Sequence, residues 1–224
     1  MVNKEIEEII ENSREAGWVT EPDAKALLKS AGLEVPDHTL AESAGEAVEF
    51  AEGNGYPVVA KVVSPKIIHK TEVSGVEVGV SDPEKLKKAF ARFSEMDGFA
   101  GMLVEQMLSG TELIVGAKND SQFGPVILIG MGGIGVEIYQ DTSIRMAPLK
   151  ANDVKSMISE LKARQLIEGF RGSVPVNMKK LTELVTGFSE LAISIEGRFE
   201  SIDLNPVICT GEACIIADAR IILK

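Results

Sequence analysis

The sequence predicts an α+β fold with largely antiparallel sheets. Helix-period and strand-like runs interleave along all 224 residues. Short glycine-containing turns, Ser109-Gly110 and Thr210-Gly211, join several strand runs. Such turns suit antiparallel neighbours and exclude a strict βαβ alternation.

The first helix is expected over 4–16, where Ile6, Ile9 and Ile10 share a face. Thr20 can cap a second over 21–30, with Pro22 and Asp23 in its first turn and Gly32 just past its end. Ser43 and Glu46 form a capping box for a third at 44–53. Asp82 followed by Pro83 opens a fourth, running to Met96. Two more helical patterns occupy 151–163 and 178–194, the latter capped by Asn177. Strands are expected at 57–63, 75–80, 102–108, 111–118, 125–130, 143–148, 199–208 and 213–223. The softest boundary falls at Asp97-Gly98-Phe99-Ala100-Gly101.

A net charge of −11 argues against nucleic acid or anionic membranes as partners. Phosphate ligands stay compatible with it, because local lysines, backbone N–H groups and Mg²⁺ set the field in a site. The stretch Met1 to Gly17 is charged and carries no apolar signal core, so a cytoplasmic location is expected. No run of about 18 apolar residues is present to span a bilayer. Cys209 and Cys214 are too few for a zinc or disulfide framework and read as buried thiols.

Four groups of residues could do chemistry. A short apolar, β-branched run delivers Lys61, and His69 follows the Ser64-Pro65 break among the polar residues Lys70, Thr71 and Glu72. A lysine so placed can meet a phosphate as a point charge, and a nearby imidazole can accept a phosphoryl group. Glu72, three residues on, could orient the ring. The glycine run Gly130 to Gly135, containing Gly132 and Gly133, is either a tight turn or a loop that brings backbone N–H groups to a ligand. Asp203 and Asn205 leave one face of a strand, and a hairpin brings Asp218 near Asn205. These oxygens suit Mg²⁺; edge decoration is the alternative. Glu105, Glu112 and Arg145 stand in apolar strands, where surface roles compete with ligand roles.

In combination these segments resemble one family. Gly55 to Pro65 with His69-Lys70, Gln122 to Gly133, Val136-Glu137, Ser143 to Leu149, and Ile202-Asp203-Leu204-Asn205-Pro206 resemble the ATP-grasp subunit of the nucleoside-diphosphate-forming acyl-CoA synthetases, in its archaeal acetate–CoA ligase β-subunit form. The likeness runs from Thr20 to the C-terminus.

The resemblance implies an ATP-grasp fold of two α/β lobes enclosing the nucleotide: an N-terminal helix in 1–19, a small lobe in 20–100 and a large lobe in 101–224. By position, it implies that Lys61 binds a nucleotide phosphate, Glu105 lies beside adenine and Glu112 approaches the ribose. Asn205 and Asp218, with Asp203 beside them, would hold Mg²⁺. Arg145, Gly132 and Gly133 would face the phosphates, and His69 would be phosphorylated transiently. The implied cofactors are ATP or ADP and Mg²⁺. The implied reaction converts acyl-CoA, ADP and phosphate into carboxylate, CoA and ATP. A CoA-binding domain does not fit in these residues, so a separate α subunit is expected, in an α2β2 hetero-oligomer. Two other readings stand beside this one: a regulatory nucleotide-binding module, and a ligase joining a carboxylate to an amine, which needs no histidine at position 69.

Overall fold

The computed structural model describes residues 3–133 and 141–224. The Ile134-Gly135 end of the glycine run and the Val136-Glu137 pair lie outside the described residues. In chain order the first elements are α1 (Lys4–Ser13), β1 (Trp18–Val19), α2 (Glu21–Ser30), β2 (His38–Ala41), α3 (Ala44–Asn54) and β3 (Val58–Val63). A 3-10 turn (Lys70–Val73), β4 (Val76–Val80), α4 (Pro83–Ser94), β5 (Gly101–Gln106), β6 (Thr111–Asp120), β7 (Gly124–Met131) and β8 (Thr142–Met146) follow. The described chain closes with α5 (Ala151–Glu160), α6 (Arg164–Glu168), α7 (Met178–Ser194), β9 (Phe199–Cys209), β10 (Cys214–Ile216) and β11 (Ala219–Leu223).

Side-chain caps fix most helix starts. Asp82 Oδ1 accepts from the Lys85 amide at 3.0 Å, Ser43 Oγ from that of Glu46 at 3.2 Å, and Asn177 from those of Lys179 and Lys180. Each satisfies donors that the first helical turn leaves open. Thr20 does not cap α2; its hydroxyl donates to Asp23 instead.

Residues 36–108 form one unit, and residues 1–35 with 109–224 form the other. The sequence-based boundaries near residues 19 and 100 differ from this partition because of strand pairing. The short β1 pairs with β11, Trp18 opposite Ile222, which places the N-terminal elements in the larger unit. β5 pairs with both β2 and β3, which keeps residues 101–106 in the smaller one.

The larger unit is built on a seven-stranded sheet of order β1-β11-β9-β6-β7-β8, with β10 also on β9. Its ladders are all antiparallel. α7 packs on β6, β7 and β10, and α5 packs on β8 and α7. Leu113, Val115, Ile127, Leu204, Val185 and Phe188 lie at the centre of this core. The smaller unit holds an antiparallel sheet of order β2-β5-β3-β4. There α3 and α4 cover a core that includes Ala60, Val62, Leu86, Phe93 and Met102.

Three expected elements come out differently. The helix over 151–163 stops at Glu160, because the buried Asp141 carboxylate accepts from the Lys162 and Ala163 amides at 2.7 and 2.8 Å. The strand over 213–223 divides at Ala217-Asp218 into β10 and β11. The helix over 4–16 ends at Ser13, and the chain turns at Gly17 with φ 75°.

Candidate functional site

In the smaller unit, β3 and β5 set Lys61 opposite Leu103 and Val59 opposite Glu105. Lys61 and Glu105 are therefore diagonal neighbours on one face, the one away from the α3 and α4 core. Lys61 Nζ lies 2.6 Å from Glu105 Oε1, and both side chains are nearly buried, 7% and 3% exposed. Glu105, expected beside adenine, is thus joined to the lysine expected to hold phosphate.

His69 sits on the excursion between β3 and β4. Its base is closed by Val62 N–H donating to Gly75 O at 2.8 Å and Gly75 N–H to Lys70 O at 2.7 Å. Gly75 is required there, because a Cβ would meet Val62 Cγ1 at 2.5 Å. The His69 side chain is 59% exposed, and Nδ1 stands 3.8 Å from Glu72 Oε1. The ring is not entombed among aliphatic neighbours.

In the larger unit, Glu112, Gly132 and Gly133 come together. Gly132 N–H donates to Glu112 O at 2.7 Å. A Cβ on Gly132 would lie 2.8 Å from both the Glu112 carbonyl carbon and its Cβ. Gly133 takes φ +70°, and a Cβ there would be 3.3 Å from Glu112 Oε2. Gly132 thus lets the turn lie directly against the Glu112 backbone, and Gly133 brings it up to the carboxylate.

The β9 ladder slips against β6 between the Leu113–Val207 and Val115–Leu204 pairs. Asn205 and Pro206 together oppose the single residue Ile114, which is a β-bulge. The bulge lets two consecutive residues leave the core face while Leu204 and Val207 both stay buried. Asp218 sits at the matching break in the neighbouring strand, and the Asn205 amide donates to its carbonyl at 3.2 Å. Asn205 and Asp218 are thus adjacent, as the hairpin expectation required. They offer hard oxygens of the kind Mg²⁺ takes, with phosphate and water to complete the shell. Asp203 is bound to Arg220, its cross-strand partner, at 3.0 Å. That guanidinium competes with a metal for the same carboxylate.

Arg145 stands apart from these groups. Its guanidinium binds Glu160 Oε1 on α5, and the Ser143 hydroxyl donates to Glu160 Oε2 at 2.6 Å. The Ser143 and Arg145 hydrogen bonds hold the Glu160 carboxyl below the usual glutamate range. Glu160 gives Arg145 a partner for the surface role that the sequence offered beside a phosphate contact.

Sequence reasoning missed Lys25, which is fully buried beside Glu21 on α2. The available signal was positional: Lys25 lies on the same stripe as Glu21, Ala24 and Leu28, the face that α2 buries. Among the described residues, no three or more His, Cys, Asp or Glu cluster as a metal site. No helix among the described residues is long and apolar enough to cross a membrane.

A family model for the ATP-grasp domain matches residues 11–223. The chain is 40% identical to subunit beta of ADP-forming acetate–CoA ligase I from Pyrococcus furiosus, over 96% of this chain and 97% of that one. The chain belongs to the ATP-grasp family of ADP-forming acetate–CoA ligase beta subunits. This ATP-grasp chain is also 38% identical to the ADP-forming acetate–CoA ligase I of Archaeoglobus fulgidus, where the match covers 97% of this chain but 33% of the relative. Among solved structures it is similar to the dinucleotide-forming acetyl-coenzyme A synthetase 1 of Candidatus Korarchaeum cryptofilum, with a TM-score of 0.86 and 35% identity over 98% of this chain and 100% of that chain. That protein is described in complex with coenzyme A and Mg-AMPPCP, its phosphohistidine segment pointing towards the nucleotide binding site. These relatives favour a ligase subunit over a regulatory nucleotide-binding module.

Proposed function

We propose that this ATP-grasp beta subunit binds ATP or ADP with Mg²⁺ and carries a phosphoryl group on His69, within the reaction acyl-CoA + ADP + phosphate = carboxylate + CoA + ATP. The observation that carries this reading is His69 itself, an exposed imidazole on a loop pinned at its base, beside the strand that bears Lys61. Lys61 meets a nucleotide phosphate, with Glu105 as its partner in the free protein. Glu112 approaches the ribose beside the Gly132-Gly133 turn packed against it. Asn205 and Asp218 hold Mg²⁺, which neutralises phosphate oxygens when bound. Asp203 joins them only if it exchanges Arg220 for the metal, and Arg145 reaches phosphate only by leaving Glu160.

We take Nε2 as the nucleophile, the ring nitrogen other than the Nδ1 that stands 3.8 Å from Glu72 Oε1. In the transfer, a bond forms from Nε2 to the γ-phosphorus, and the bond to the β–γ bridging oxygen breaks. ADP leaves with that electron pair, and the imidazole gives up its extra proton. The phosphoramidate stays reactive, so the step runs in both directions.

The CoA and acyl chemistry belongs to a separate α subunit, in an α2β2 assembly. The beta-subunit naming of the Pyrococcus relative supports a separate partner. The Archaeoglobus relative, three times as long as its match, supports one chain carrying both parts there.

Incubation with γ-labelled ATP and Mg²⁺, with and without an α subunit, tests the assignment. The label is expected to be acid-labile, base-stable and absent from His69→Asn. A label that persists in His69→Asn overturns the role of His69.

A further inference from the structure

We infer that Lys25 is a positioning residue for the Asn205/Asp218 pair, with Glu21 as its counter-ion. This rests on the Mg²⁺-nucleotide reading above and names a residue of α2 that acts on the same site.

The side chain of Lys25 is wholly out of water, and that of Glu21 is 2% exposed. Lys25 Nζ lies 3.1 Å from Glu21 Oε1 and donates to the Ala217 carbonyl at 3.0 Å. A buried ion pair is a weak source of stability, since well-packed apolar residues of similar volume often serve as well. Its geometric effect is more specific here.

Ala217 and Asp218 form the break between β10 and β11. On one side, Ala217 N–H donates to Pro206 O at 3.0 Å. In an antiparallel ladder such a pair normally returns a second bond, from the amide of residue 206 to the carbonyl of residue 217. Proline has no amide proton, so that bond is impossible. Lys25 supplies a donor to the same carbonyl from the helix side. The next residues on each strand are Asp218 and Asn205, themselves joined by the Asn205 amide and the Asp218 carbonyl. The helix-borne ammonium therefore fixes a peptide whose neighbour carries one proposed metal ligand, across from the other.

The test compares the Mg²⁺ dependence of nucleotide binding by calorimetry. Lys25→Met alone leaves Glu21 buried without its cation, so the informative variant is Glu21→Gln with Lys25→Met, a neutral pair of similar volume. Glu21→Gln with Lys25→Leu is a second neutral pair should the first fail to fold by circular dichroism. The folded variant is expected to bind metal-free ATP within about twofold of wild type. Its half-saturating Mg²⁺ should rise by about tenfold or more, as for other losses of support behind metal ligands, with binding restored at high Mg²⁺. An unchanged Mg²⁺ requirement in a folded neutral pair overturns the inference, and the proposed function stands. A wild-type chain whose ATP binding ignores Mg²⁺ overturns the metal assignment and this inference together.

Discussion

Lys61 Nζ and Glu105 Oε1 stand 2.6 Å apart on adjacent strands, both side chains almost completely removed from water. Lys61→Ala removes the cation that lies against the buried Glu105 carboxylate. Breaking such a pair costs about 3–5 kcal/mol. The variant is expected to melt well below wild type and to bind ATP weakly. Lys61→Met with Glu105→Gln should recover most of the stability and none of the ATP affinity. Urea unfolding and calorimetry on both variants separate the two effects; a Lys61→Ala protein as stable as wild type would show that the pair is not coupled.

Gly132→Ala should impair the turn over Glu112. The added Cβ would fall 2.8 Å from the Glu112 carbonyl carbon, a backbone atom that cannot swing aside. Overpacking of this kind costs about 1–3 kcal/mol. Nucleotide affinity should fall with it. Gly53→Ala is the control: it lies in α3 with nothing within 4 Å of the new carbon, and should gain about 0.5–1 kcal/mol. Equal effects of the two substitutions on melting temperature would refute the close-approach argument.

The Glu160 carboxyl is held below the usual glutamate range by hydrogen bonds from Ser143 and Arg145. An acid depressed in the folded state lends stability that is complete above its unfolded pKa and is lost as pH falls through the folded one. Wild type should therefore lose more stability than Glu160→Gln as the pH drops below about 4.3, the ordinary glutamate value. Melting curves at neutral and acid pH check this, with the gap between the two proteins narrowing on acidification. A gap that widens would mean that the bonds favour the protonated acid.

Much of this molecule was legible in its residues. The caps at Ser43, Asp82 and Asn177 formed, because each has a side-chain oxygen within local reach of an open amide. Asn205 and Asp218 met, because a tight hairpin fixes register. What was hidden depended on distant partners. β1 is two residues long and exists through its pairing with β11. β2 carries the polar residues His38 and Thr39 and is defined by β5. The α5 stop depends on Asp141, a carboxylate outside that helix. The ion pairs of Glu105 and Arg145 joined residues 44 and 15 positions apart in sequence, from Lys61 and to Glu160 respectively, a relationship that strand periodicity does not encode. For Lys25 the stripe position was visible, but its target, the Ala217 carbonyl, was not.

The two units also differ in how the ribosome can deliver them. Residues 36–108 are one unbroken stretch, so the smaller sheet has every strand it needs once that stretch has emerged. The larger sheet cannot be completed until Ile221 and Ile222 emerge to meet Val19 and Trp18. Because domains fold as units and nascent chains emerge from the N-terminus, the half bearing His69 can be assembled while the half bearing Asn205 and Asp218 is still being synthesised.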